Sequence, residues 1–274
     1  MHNPFVPETL EGWSVLHLMF RVDWGALREA YPGDRKQAAD QAAAALTLPE
    51  GTEGANTLVH LLGHKGDLMV IAFRKSFDDL GRFQLAFQQA KLYPFLRPTT
   101  SYVSIVELGM YDMTAKIHRQ LAEKGLLPDS SEYQQGFDEE MERQRQRVAG
   151  RLFPPIPRNR HVCFYPMNKR RGEALNWYSE PFARRAEMML EHGKVGREYA
   201  GKVTQIISGS IGFDDWEWGV DLFADEALTF KKLIYEMRFD EASAKFAEFG
   251  PFYVGLQFCS SELPAFLEGE LPRL

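Results

Sequence analysis

The sequence predicts an α+β fold built from two ferredoxin-like units in one chain. Three observations carry this expectation. Short apolar or alternating runs of strand length are interleaved with longer stretches at helical spacing. Over the first 111 residues their order is β-α-β-β-α-β. After a charged, non-repeating insert the same order returns over residues 160–259. The halves share little identity, so the repeat is one of pattern.

The elements follow in order. Residues 13–22 (WSVLHLMFRV) are apolar and β-rich, as a buried strand is. Residues 24–46 contain QAADQAAAAL, which favours helix. Residues 57–63 and 67–74 flank His64-Lys65-Gly66 and predict a hairpin. Residues 76–92 place Leu80, Phe83, Phe87 and Leu92 on one helical face, with Ser76 as N-cap. Residues 100–111 alternate and close the first unit as a strand. Residues 112–159 hold two charged helical stretches, a solvated surface on composition, and then the Pro-rich FPPIPRNR. In the second unit, 160–167 (RHVCFYPM) predicts a strand and 177–192 a helix that stops at Gly193. Residues 202–211 and 216–223 predict two strands around a turn, 225–247 a single helix, and 250–259 the last strand. The expected division is 1–111, 112–159 and 160–274: N-terminal unit, helical linker, C-terminal unit. Each unit predicts a four-stranded antiparallel sheet with helices on one face, and the bare faces can pack together as a barrel.

Composition bounds the function. The 274 residues are 45% hydrophobic and 26% charged, with a net charge of −6. An acidic balance argues against general nucleic-acid binding. The two cysteines, Cys163 and Cys259, form no CxxC and predict neither a disulfide framework nor a zinc site. The leading residues show no basic stretch followed by an apolar run, and no run of about 18 apolar residues occurs. A soluble, cytoplasmic protein without membrane insertion is the expectation.

The second half holds the unusual chemistry. His192 is followed by Gly193, which fits a histidine favoured by the helix C-terminus. That is the stronger reading from spacing; a single imidazole can also serve as an axial ligand to a haem iron. His60 and His64 are four apart on strand and turn, where they do not form a helical metal pair. HVCFYPMNKRR brings Tyr165 and then Lys169, Arg170 and Arg171 to the end of one strand. The cluster is a solvated turn or a site for a carboxylate beside a phenol. The hairpin 201–220 combines Gln205, small residues and two tryptophans. Small residues in a strand admit close approach by another strand or by a flat ligand. Rossmann, P-loop, GxSxG and HExxH signatures are absent.

The stretch from YPMNK through LEHGKVGREY to QIISGSIGFDDWEWGVDLF, residues 165–223, resembles the chlorite-dismutase-like superfamily. More closely it resembles the coproheme decarboxylases of monoderm bacteria, and the similarity extends over essentially the whole chain. The resemblance implies two ferredoxin-like units per subunit in a dimeric α+β barrel, and a homopentamer. It implies conversion of iron coproporphyrin III (coproheme) to haem b, with hydrogen peroxide as oxidant. Substrate and redox centre are then one molecule. His192, in the EHG motif, resembles the proximal iron ligand. Tyr165 resembles the tyrosine that becomes a radical, and Lys169 the lysine beside the second propionate. Arg151 and Ser243 match positions that hold the reactive propionates, and Met167 lies at the pocket wall. Arg197 and Arg238 match cations near the porphyrin rim, and Gln205 the distal position. Chlorite dismutases carry arginine there, so Gln205 argues against chlorite chemistry. A haem peroxidase and a non-catalytic haem carrier are the alternatives within the fold. Ferrochelatase is the implied upstream enzyme and a candidate transient partner.

Four propionates also answer what a cationic spot in an acidic chain is for. Charge-assisted bonds to carboxylates contribute roughly 1.5–3 kcal/mol each, and a rigid strand places the phenol beside them.

Overall fold

The computed structural model describes residues 6–33, 35–48 and 51–274. Residues 1–5, where no leader is expected, and position 34, inside the expected helical stretch, lie outside them. Strand β1 (Thr9–Val22) leads to α1 (Trp24–Ala30) and α2 (Lys36–Leu46). The hairpin β2 (Gly54–Leu61) and β3 (Leu68–Arg74) follows, then α3 (Phe77–Gln88) and β4 (Leu96–Gly109). Helices α4 (Tyr111–Glu123) and α5 (Ser131–Leu152) connect to the second half. That half runs β5 (His161–Lys169), α6 (Phe182–Glu198), β6 (Thr204–Gly209), β7 (Trp218–Ala224) and α7 (Ala227–Met237). It ends with α8 (Glu241–Phe246), β8 (Ala247–Phe249), β9 (Tyr253–Phe258) and α9 (Leu263–Glu268).

The strands pair as β4-β1-β3-β2 in the first half and β9-β5-β7-β6 in the second, antiparallel throughout. The same order appears twice, as two βαββαβ units require. Two seams then join the units. β2 pairs with β9 from Leu58↔Phe258 to Leu61↔Gly255, and β4 pairs with β6 at Ile105↔Gly209 and Val106↔Ser208. They close eight strands into one barrel, which removes the exposed edges that each unit alone would present. β8 adds three residues beside the far end of β5.

Side-chain alternation sorts the core into layers. Val15, Met19, Ile71, Phe73, Phe164 and Phe223 fill the barrel interior. The buried pair His17 and Asp221 crosses that interior from β1 to β7, with Nε2 2.9 Å from Oδ1. Outside, α2, α3 and α9 cover the first unit through Leu46, Phe83, Phe87 and Phe266. α6 and α7 cover the second through Val195, Tyr199, Phe230 and Leu233.

Three expected helices differ from the structure. The 24–46 stretch is divided into α1 and α2 by a break that includes Pro32 and Gly33, whose φ is 108°. The helix expected at 177–192 starts later and ends later. Trp177–Ser179 is one 3-10 turn, Pro181 precedes the first helical residue, and α6 runs on past Gly193 to Glu198. A proline suits the start of a helix because its missing N–H has no helical partner to lose. Beyond Gly193, burial of Val195 and Tyr199 outweighs the local stop signal. The helix expected at 225–247 breaks after Met237, and Asp240 starts α8 by accepting a 2.9 Å bond from the Ser243 N–H.

Candidate functional site

The site is built on the outer face of β5. Residues two apart on a strand share a face, so Tyr165, Met167 and Lys169 point the same way and Phe164 points inward. Register carries that face across two strands. Tyr165 pairs with Val220 and Val220 with Ile207; Cys163 pairs with Leu222 and Leu222 with Gln205. Gln205 and Ile207 are both exposed there, beside a row that α6 and α7 otherwise bury.

Tyr165 is 3% exposed. Its ring lies nearly parallel to that of Phe252, with centroids 4.6 Å apart at 28°, and tilted against Phe249 at 5.7 Å. Its hydroxyl has no hydrogen-bond partner among the described residues. Burial pushes the phenol's pKa well above its ordinary value, with Cys163 adding to the shift, so the group stays protonated.

Lys169 is 7% exposed. Its ammonium donates to the Ala242 carbonyl at 3.3 Å and lies 4.5 Å from the centre of the Trp177 ring. Burial lowers its pKa to about 8, against the opposing charges of Asp240 and Glu217.

The break between α7 and α8 brings three more groups to this end of β5. His192 on α6 places Nδ1 2.9 Å from Asp240 Oδ2. A carboxylate only accepts, so Nδ1 carries a proton toward Asp240 and Nε2 is the ring nitrogen left to face a ligand. Ser243 Oγ donates to the same Asp240 oxygen at 3.0 Å and lies 3.3 Å from His192 Nδ1. Burial alone would raise the Asp240 pKa; the bonds from His192 and Ser243 outweigh it and hold the carboxyl below its ordinary value. An imidazole fixed by a carboxylate, with its other nitrogen free, is the usual arrangement of a metal-binding histidine. A porphyrin iron fits this donor set.

The structure thus brings Lys169, His192 and Ser243 together, and puts Tyr165, Met167 and Gln205 on the adjoining sheet face. Arg238 caps α7 with its guanidinium 5.3 Å from the Phe249 ring centre, one ring away from Tyr165. Arg197 is exposed on the last turn of α6, its side chain folded back toward Gly193. Arg151 is exposed at the end of α5, a helix packed on β1 and α4. The other two cations of the strand end diverge from Lys169: Arg170 reaches Glu248 at 3.4 Å and Arg171 reaches Glu217 at 3.5 Å. Close approach at Gly209 is made by the Glu107 side chain, which a Cβ would meet at 2.1 Å. The neighbouring strand, not a flat ligand, is therefore what this small residue admits. Asp240, Trp177 and Phe252 were not singled out from the sequence. Asp240 had a signal, an Asp three residues before Ser243 at the head of a helical stretch. A cavity of about 450 Å³ opens on the inner side of β5, among Tyr102, Phe164, Pro166, Asp214 and Trp216. None of the expected site residues lines it; Tyr165, Met167, Lys169 and Gln205 lie on the outer face instead.

Two antiparallel ferredoxin-like sheets closed into one barrel define the dimeric α+β barrel class. Within it, the chain belongs to the chlorite dismutase family, whose profile matches residues 35–258. It is 43% identical over 256 residues to a coproheme decarboxylase of Staphylococcus saprophyticus, covering 92% of this chain and 94% of that protein. It is 44% identical over 269 residues to a Natronomonas pharaonis protein described as heme-binding, covering 96% of this chain. The chain spans only 42% of that relative's length. A heme-binding protein from Thermus thermophilus superposes with a TM-score of 0.80 at 38% identity, over 98% of this chain and 100% of that one.

Proposed function

We propose that this protein decarboxylates iron coproporphyrin III to haem b, using hydrogen peroxide. The observation that carries the proposal is the pairing of a buried tyrosine ring with a carboxylate-held imidazole and a buried ammonium on one barrel face. The similarity to a staphylococcal coproheme decarboxylase along nearly both whole chains supports it.

His192 would hold the substrate iron through Nε2, with Asp240 and Ser243 fixing the ring. The bound iron porphyrin supplies the redox chemistry by which peroxide oxidises Tyr165. In each of two rounds a propionic acid side chain and one peroxide give a vinyl group, carbon dioxide and two waters. Tyr165, as a neutral radical, takes hydrogen from the propionate carbon beside the ring. Its stiff strand and stacked neighbours keep the phenol in one place, and orientation of this kind lowers a barrier strongly. Lys169, with a pKa lowered to about 8, is suited to hold the second propionate and to move a proton there. Arg151 and Ser243 are assigned to the reactive propionates, Arg197 and Arg238 to the porphyrin rim, Met167 to the wall and Gln205 to the peroxide side. A glutamine there fits peroxide chemistry rather than chlorite chemistry. Two carboxylates leave with the reaction, so haem b binds this cationic rim more weakly than the substrate.

The family resemblance further supports a cytoplasmic homopentamer that receives its substrate from ferrochelatase. Among the described residues no helix is long and apolar enough to cross a membrane. A second reading, haem carriage without turnover, draws on the relatives described as heme-binding. Tyr165→Phe separates the two. The variant is expected to bind iron coproporphyrin III as the parent does and to lose decarboxylation, read by mass spectrometry of the porphyrin. Full activity without the phenol would remove Tyr165 from the reaction.

A further inference from the structure

We infer that Phe252 is a positioning residue for Tyr165: its stacked ring, not a hydrogen bond, sets the plane of the phenol. The inference rests on the proposed reaction for what the phenol does, but the positioning stands on geometry alone.

A buried tyrosine is ordinarily held at both ends, its ring by packing and its hydroxyl by a partner. Tyr165 has the packing and lacks the partner among the described residues. The terminal torsion of a tyrosine is broad and two-fold, so the ring plane is left to its neighbours. Phe252 is the one nearly parallel to it and in closest ring contact, 4.6 Å and 28°, whereas Phe249 meets it at 5.7 Å and 51°. Phe252 is itself fixed. Its carbonyl accepts from Lys65 Nζ at 2.7 Å, and next to it the Leu62 N–H donates to the Val254 carbonyl at 2.9 Å. On the other side the Gly250 N–H donates to the Pro166 carbonyl at 2.8 Å. A Cβ at Gly250 would lie 2.8 Å from Pro166 Cγ and 3.0 Å from Pro166 O, so glycine is what lets this segment close on β5. The turn between β2 and β3 in the first unit thereby holds the aromatic wall of the tyrosine in the second. The phenoxyl oxygen lies on the axis about which the ring flips and does not move with it; the ring plane instead sets how the oxygen's half-filled orbital is directed at the carbon that gives up hydrogen, and a free-flipping ring spreads that direction.

The test is Phe252→Leu, with Phe252→Met alongside in case the first does not fold; Phe252 is only half-buried, so both substitutions leave the inner core untouched. Without substrate, 3-fluorotyrosine labelling gives the Tyr165 signal, assigned by its loss in Tyr165→Phe. The parent is expected to show two fluorine resonances from a slowly flipping ring. The Leu and Met variants are expected to show one averaged resonance, and Phe252→Trp, which keeps a stacked ring, two again. With iron coproporphyrin III bound, affinity is expected within about threefold of the parent, while decarboxylation per peroxide falls on the order of tenfold. The β-methylene splitting of the Tyr165 radical, which reports the ring angle, is expected to broaden. Unchanged ring flipping and unchanged splitting in the variants would overturn the inference. A parent that binds the porphyrin and decarboxylates nothing would sink the proposed reaction, while the fluorine signals would still decide the positioning.

Discussion

The Lys169 ammonium has one hydrogen bond among the described residues, to a carbonyl, and an aromatic ring beneath it. Its pKa of about 8 in the fold lies below the ordinary 10.5 of the unfolded chain. Between those values the unfolded chain binds a proton that the folded one does not, so stability rises with pH across that window. Below pH 8 the cost of burying the charge is fully present. Lys169→Met removes that cost. The variant is expected to be more stable than the parent at pH 7, with the gap narrowing by pH 10, in urea unfolding at both pH values. An equal gap at both would show that the charge is not what burial penalises. Tyr165, Lys169 and His192 stood out as candidates because family motifs surround them, and Ser243 only as a matched position outside those motifs. Asp240 was not, because an acidic residue between two apolar turns takes its role only when the helix breaks there. Arg170 and Arg171 were legible as charges but not as a surface, since Glu248 and Glu217 come from distant strands and turns.

Among the elements, α6 and the α7–α8 break set the site. The local sequence at Glu191-His192-Gly193 ends a helix by every short-range rule, yet the helix continues. Val195 and Tyr199 pack into the core beneath α7, and tertiary burial overrides a single glycine. The consequence is chemical, because His192 sits inside the helix, aimed by Asp240, rather than fraying at its end. Gly193→Ala is therefore expected to raise stability by about 1 kcal/mol, as alanine does inside a helix. The new Cβ comes 3.3 Å from Arg197 Nη1, the far end of a flexible side chain that can give way. A shift in thermal midpoint measures it; a large loss of stability would mean that Gly193 is a true helix end. The break at Asp240 is the converse case. The apolar pattern over 225–247 reads as one helix, and the Asp240–Ser243 spacing inside it becomes a cap where the chain breaks after Met237.

For the molecule as a whole, the repeat of β-α-β-β-α-β was legible because its strands are short apolar or alternating runs and the stretches between them carry helical spacing. How the two sheets meet was not, since seams depend on residues far apart in sequence. At one seam Gly255 lies against β2, where a Cβ would stand 2.2 Å from the His60 carbonyl oxygen and 2.7 Å from Val59 Cγ1. Gly255→Ala must push two backbones apart and is expected to cost about 3 kcal/mol, near the upper end for overpacking. Denaturant unfolding reads that loss, and a neutral effect would show the seam to be loose. The buried His17–Asp221 pair crosses the same barrel from one unit to the other, so both halves share one interior. That shared frame is what lets a hairpin turn of the first unit brace the tyrosine wall of the second. The claim that this frame serves porphyrin decarboxylation is tested most directly by one titration. Iron coproporphyrin III is added to the purified protein, then hydrogen peroxide in small steps, with the porphyrin followed by mass spectrometry. The account predicts a three-propionate species that rises and falls, followed by haem b with two vinyls. Binding and bleaching with all four propionates intact would contradict it.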